Sequence, residues 1–97
     1  MDGRKLSTEE VQEKLHSVPG WDVRDGKLHR EFAFKNFNEA FGFMTQLAMV
    51  SEKKNHHPEW KNVYGSLQID LMTHDLGGIS ELDFAWAAAA NKILTKK

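Results

Sequence analysis

The chain has no cysteine, only two prolines and one tyrosine, and no long apolar run. Without thiols, disulfides and thiolate catalysis are both excluded, and a reducing compartment is the natural setting. No stretch approaches the roughly 20 apolar residues that a membrane-spanning helix requires. Met1 to Leu6 is short and polar, without the apolar core of a secretory leader. The expected location is cytoplasmic, with the nucleus as the other soluble setting. An excess of one charge is also lacking. Thirteen Lys and Arg stand against 14 Asp and Glu, a formal net charge of −1. No overall basic field therefore draws the chain directly to nucleic acid.

What is present fits one compact domain, 1–97: 97 residues, 40% hydrophobic and 28% charged, the balance of an ordinary soluble fold. Ser7-Thr8-Glu9-Glu10 is a capping box, flanked by Leu6 and Val11 in the positions of a hydrophobic staple. It opens a thin helix burying Val11, Leu15 and Val18, which Pro19-Gly20 stops. Trp21 and Val23 alternate with polar residues before Asp25-Gly26, a favoured two-residue hairpin turn. Leu28, Phe32 and Phe34 continue a half-buried strand. Asn36 or Asn38 caps the next helix, whose stripe is Phe37, Ala40, Phe41, Met44, Leu47 and Ala48. Phe43 and Val50 lie off that stripe, so this helix is either the central core helix or one whose second face meets a partner. It ends around Lys53 to Asn55, because the residue before a proline is pushed out of the α region.

Val63-Tyr64 is expected as a short strand and Gly65-Ser66 as a turn. Leu67, Ile69 and Leu71 then alternate along a further strand. After Gly77-Gly78, Ser80 to Asp83 forms a second capping box, and Leu82, Ala85, Trp86, Ala89 and Ile93 make the last helical stripe. The order α-β-β-α-β-β-α, with strands grouped in hairpins, predicts an α+β fold: a four-stranded antiparallel sheet covered by helices on one face.

Chemistry concentrates in Glu52-Lys-Lys-Asn-His-His-Pro-Glu-Trp60. His56 and His57 stand where a helix pattern meets Pro58, and His74 ends a strand-like alternation, on the face of Gln68, Asp70 and Met72. Imidazole, with an unperturbed pKa of about 6.5, exchanges protons near neutrality. Three imidazoles at element ends point to proton transfer on a small molecule. Glu52 lies one turn before His56, placed to hydrogen-bond that ring. Zinc is the competing use of three histidines and Glu59, but adjacent His-His before proline is a poor match to metal-ligand spacing, so no metal is expected. Trp60 and Trp86 could stack on a flat heterocycle, although Trp86 sits on a core stripe. His16 and His29 receive no role.

Taken together, Glu-x-x-x-His-His-Pro-Glu-Trp at 52–60, Asn62-Val-Tyr64, Thr73-His74 and Asp83 resemble the signature of the pterin-4a-carbinolamine dehydratases, also known as dimerisation cofactors of a hepatocyte nuclear factor. The likeness extends through Phe32–Met44 and covers most of the chain from residue 30 onward. It implies a protomer that pairs edge to edge into a homodimer, often a homotetramer. It also implies a pterin substrate, 4a-hydroxytetrahydropterin, dehydrated to quinonoid dihydropterin for tetrahydrobiopterin recycling, with no cofactor. By this resemblance His56, His57 and His74 are catalytic. Glu52, Pro58, Trp60, Thr73 and Asp83 are the substrate-binding set, with Glu52 supporting the first histidine. Animal members also bind a transcription factor's dimerisation helices, so an interaction module is the alternative function. Asn55 stands where some members carry aspartate, and the run Ala87 to Ala90 is unusually rich in alanine.

Overall fold

The computed structural model describes residues 3–95. Helix α1 (Thr8–Lys14) starts at Ser7, whose hydroxyl accepts from the Glu10 amide while the Glu10 carboxylate accepts from the Ser7 amide. The capping box forms as the sequence predicts. A short 3₁₀ turn (Leu15–Ser17) follows, and the chain passes into β1 (Asp22–Arg24) and β2 (Lys27–Ala33). Between them Asp25 and Gly26 both adopt positive φ, 52° and 75°, the conformation that matches a tight hairpin to strand twist. Then come α2 (Phe37–Lys54), β3 (Glu59–Val63), β4 (Ser66–Leu71) and α3 (Glu81–Thr95). The strands form one antiparallel sheet in the order β1-β2-β4-β3. The α+β architecture and its element order agree with expectation. No helix of the described residues is long and apolar enough to cross a membrane.

The core lies between one sheet face and the helices. Leu28 and Phe32 of β2 and Leu67, Ile69 and Leu71 of β4 meet Phe43 and Leu47 of α2 and Phe84, Trp86, Ala87 and Ala90 of α3. Each buried indole has a partner for its N–H: Trp86 donates to Ser51 Oγ (3.0 Å) and Trp21 to Asn91 Oδ1 (2.9 Å). Ser51 in turn donates to the Leu47 carbonyl, so the buried polar atoms cost little.

Both long helices are rotated relative to their expected stripes. The buried residues of α2 are Ala40, Phe43, Leu47 and Ser51. Phe43, placed off the stripe, is fully buried, because the Phe32 and Phe34 rings pack on it at 5.1 and 5.2 Å. Phe37 and Phe41, placed on it, are 47% and 51% exposed, and Met49 is 65% exposed. Helix α3 buries Asp83, Phe84, Trp86, Ala87 and Ala90, and Ala85 is exposed. Alanines permit several rotations alike, and the polar bonds of Asp83 and Trp86 choose one. The second hairpin also differs. Its strand reaches back to Glu59, and its turn is Tyr64-Gly65, with Tyr64 in the left-handed region at φ 51°. Asn62 Nδ2 closes this turn by donating to the Tyr64 and Ser66 carbonyls, both at 2.9 Å. A Cβ on Gly65 would come within 2.5 Å of the Phe34 carbonyl oxygen, so only glycine fits there.

The opposite sheet face carries polar side chains. His29, paired in register with Asp70, is buried there: Nδ1 lies 2.7 Å from Asp70 Oδ1 and Nε2 3.0 Å from Glu31 Oε2. Both partners are acceptors, so the ring bridges them as imidazolium. Burial works to lower its pKa, but the Asp70 and Glu31 carboxylates outweigh it against the opposing charge of Arg24, and the net shift is upward from 6.5. A raised folded-state pKa contributes stability in full below the unfolded value of about 6.5, and loses it as pH climbs through the folded value. Thermal unfolding should therefore show wild type losing on the order of 1 kcal/mol, the worth of a charge-assisted hydrogen bond, between pH 6 and pH 9 relative to His29→Gln. Parallel pH profiles for the two proteins would overturn this assignment.

Candidate active site

The C-terminus of α2 builds the first part of the site. Asn55 takes a left-handed conformation (φ 53°, ψ 44°), and the amides of Asn55 and His56 return to the carbonyls of Glu52 and Ser51. This is a glycine-type helix stop made with asparagine. The helix therefore ends within the expected range, but by this cap, not by the proline three residues on. The reversal separates the two histidines. His56 turns inward and its side chain is 10% exposed; His57 faces outward at 58%.

The end of β4 builds the second part. Thr73 and Gly78 form an isolated bridge, Thr73 N donating to Gly78 O at 2.8 Å. They close a loop whose single 3₁₀ turn is His74–Leu76. Strand β4 stops at Leu71, so His74 does not extend the strand alternation. It sits on the turn, 68% exposed. The start of α3 supplies the third part. Asp83 is fully buried and its Oδ2 accepts from the Ser80 amide at 2.9 Å. This is the acid half of the expected capping box. The Ser80 hydroxyl serves the Leu82 amide at 3.2 Å in place of the Asp83 amide.

These three segments wall one cleft of about 290 Å³, lined by Asn55, His56, His57, Met72, Thr73 and His74 together with Asp75 and Leu82. Residues 17 or 18 positions apart in sequence thus share one concavity. Each histidine also has its own carboxylate. His56 Nε2 lies 2.6 Å from Asp83 Oδ1, His57 Nε2 lies 2.9 Å from Glu52 Oε2, and His74 Nε2 lies 3.4 Å from Glu59 Oε2. The Glu52 pairing corrects the expectation that this acid supports His56. The i, i+4 relation assumed that the helix continued, and the left-handed Asn55 breaks it. Glu52 and His57 are both exposed, so their pair is weak. The strong partner of His56 is Asp83, shielded from water and 27 residues away.

Of the other expected residues, Pro58 is half-buried between His57 and β3. Trp60, on β3 opposite Ile69, packs its half-buried ring against the hydrophobic core, and the cleft walls come from other residues. Thr73 is a buried part of the cleft wall, its hydroxyl donating to Asp83 Oδ2 at 2.9 Å. Glu59 received no catalytic part in the sequence, yet it bridges the site to the polar sheet face: its Oε1 accepts from Lys27 Nζ at 2.7 Å. The signal for Glu59 was its position in the His-His-Pro-Glu-Trp run. No local signal marked the pairing of Asp83 with His56.

An imidazole whose Nε2 is tied to a carboxylate keeps Nδ1 for proton exchange, with its tautomer fixed by the partner. The cleft can therefore present one oriented, water-shielded proton donor or acceptor and two more accessible ones to a guest of modest size.

The chain is similar to known proteins over nearly its whole length. The family described as pterin 4 alpha carbinolamine dehydratase matches residues 4–93, which adds the first helix and hairpin to the likeness seen from residue 30 onward. A protein of Solibacter usitatus is 56% identical over 84 residues, covering 87% of this chain and 88% of its own length. One from Prochlorococcus marinus (strain MIT 9215) is 52% identical over 88 residues, covering 91% and 92%. Both bear the provisional name pterin-4-alpha-carbinolamine dehydratase. A crystal structure from Brucella melitensis, described as a transcriptional coactivator/pterin dehydratase, superimposes with a TM-score of 0.89 at 42% identity, covering 93% of this chain and 98% of that one. By sequence and by fold, this chain belongs to the pterin 4 alpha carbinolamine dehydratase family.

Proposed function

We propose that the protein dehydrates 4a-hydroxytetrahydropterin, such as 4a-hydroxytetrahydrobiopterin, to quinonoid dihydropterin by histidine acid–base catalysis, in the recycling of tetrahydrobiopterin. The observation that carries this reading is the cleft itself: three imidazoles, each backed by a separate carboxylate, around one concavity. In the reaction the C4a–O bond breaks, a proton joins the departing hydroxyl to make water, and a proton leaves N5 as the C=N bond forms. Nothing is oxidised or reduced, so the step calls for no redox cofactor. Hydroxide leaves poorly, so proton delivery to oxygen is the larger need, and a positioned acid supplies about 10²–10⁴-fold.

His56, oriented by Asp83, and His74, beside Glu59, are the groups assigned to these proton transfers. His57 and the backbone near Thr73 hold the heterocycle. The acidic partners fix where each ring points and which nitrogen is left for the guest. A spectrophotometric assay of purified protein tests the reading. Turnover should be present and unchanged by chelator. The double variant His56→Ala/His74→Ala should fall at least 10²-fold, toward the uncatalysed rate. Activity largely retained in the folded double variant refutes the assignment, and loss of wild-type activity with chelator favours a metal.

A second reading has its own observation. Phe37 and Phe41 stack at 5.2 Å on the exposed side of α2, with Met49 two turns further along. Exposed apolar clusters of this kind mark association surfaces. On this reading the face joins copies of the chain into a tetramer of edge-paired dimers, or takes a transcription factor's helices, and catalysis is secondary. Phe41→Glu should lower the mass measured by light scattering from tetramer to dimer while leaving the fold intact. A wild-type protein that is monomeric at micromolar concentration sinks the association role.

A further inference from the structure

Beneath the cleft lie two hydroxyls that the proton-transfer scheme does not use. Thr73 is buried and Ser80 completely so. Their oxygens are 2.6 Å apart. The direction of each bond follows from counting hydrogens. The Asp83 carboxylate can only accept, so the single hydroxyl hydrogen of Thr73 goes to Asp83 Oδ2 at 2.9 Å. Ser80 must then be the donor to Thr73, and the Ser80 oxygen accepts the Leu82 amide at 3.2 Å. Asp83 Oδ2 takes a second bond from the Ser80 amide, and Oδ1 is left for His56 Nε2 at 2.6 Å. The chain from the Leu82 amide through Ser80, Thr73 and Asp83 to His56 thus has one direction and no spare hydrogen. Among the described residues no buried side-chain nitrogen or oxygen lacks a partner.

We propose that Thr73 and Ser80 are positioning residues that act through Asp83 to hold the Nε2 proton of His56, and that the Thr73 hydroxyl is not a substrate contact. The inference rests on the dehydratase reading for its kinetic part only. Two donors on Oδ2 hold the carboxylate in one rotamer, so that Oδ1 receives the imidazole N–H and the ring is kept in one tautomer. With the Thr73 donor removed, only the Ser80 amide holds Oδ2. The carboxylate can then turn, and His56 loses its fixed tautomer. Ser80 acts one bond further out, by fixing the direction of the Thr73 hydroxyl.

The test compares Thr73→Val, Thr73→Ser and Ser80→Ala by kinetics and by ¹⁵N resonances of the His56 ring. For Thr73→Val, kcat should fall roughly tenfold, the scale of one hydrogen bond to a charged group, with KM unchanged. The His56 Nε2 resonance should lose protonated character. Thr73→Ser should restore both, and Ser80→Ala should shift both in the same sense by a smaller factor. A raised KM with kcat retained makes Thr73 a substrate contact and overturns the inference. Unmoved His56 resonances in Thr73→Val also overturn it, as does failure of both Thr73→Val and Ser80→Ala to fold, which assigns the hydroxyls to stability alone. If the wild type proves inactive on the pterin, the dehydratase reading fails while the resonances still decide this one.

Discussion

A carboxylate removed from water must be compensated by donors or it unfolds its surroundings, and Asp83 is the place where this chain meets that demand. It is fully buried and accepts from three segments: His56 after α2, Thr73 after β4, and the Ser80 amide before α3. Leaving such a group unpaired costs several kcal/mol. The segments therefore cannot drift apart without stranding the charge. The same bonds that pin the start of α3 against the sheet also orient an imidazole toward the cleft. Stability and the orientation of His56 share one small network.

Local chemistry made much of the fold legible. Ser7 and Glu10 cap α1 reciprocally, Asp25-Gly26 turns the first hairpin, and Asn36 caps α2 by accepting from the Glu39 amide. Each feature needs only residues within a few positions of one another. Helix rotation was not legible, because it is decided at long range. Helix α2 carries more apolar residues than one face can bury, and a count along the sequence has no way to prefer Phe43 over Phe41. The aromatic contacts of Phe32 and Phe34 with Phe43 and the bond from Trp86 to Ser51 make that choice. In α3 four successive alanines carry no preference at all. The Tyr64 turn misled for a different reason: the left-handed residue is a tyrosine, and Asn62 supplies the hydrogen bonds that allow it.

The site divides along the same line. Residue type alone marked His56, His57 and His74, and the cleft contains all three. Their partners were harder to read. Assigning Glu52 to His56 extended helical geometry across Asn55, where the backbone reverses. The residues themselves explain Asp83 as a capping acid, the family resemblance adds it to the pocket, and Oδ2 does cap; nothing in a four-residue motif reveals that Oδ1 is free to hold a ring 27 residues away. A motif that satisfies one role completely hides a second one on its other oxygen.

The graded exposure of the three histidines also constrains how the proposed dehydration can turn over. Each cycle delivers one proton to the leaving oxygen and removes one from N5, so the catalyst must return its groups to their starting states. His56 is closed at Nε2 by a buried carboxylate, which leaves Nδ1 as the ring nitrogen for exchange with a guest. His57 and His74 are open to solvent, and their pairs with Glu52 and Glu59, at 2.9 and 3.4 Å between exposed groups, are weak. Such groups re-equilibrate with water between cycles. A shielded ring beside solvent-coupled ones lets the exposed pair exchange with water between cycles, with the orientation of the first ring undisturbed. That division follows from where Asn55 reverses the chain: one histidine is turned toward Asp83 and the next is left outside.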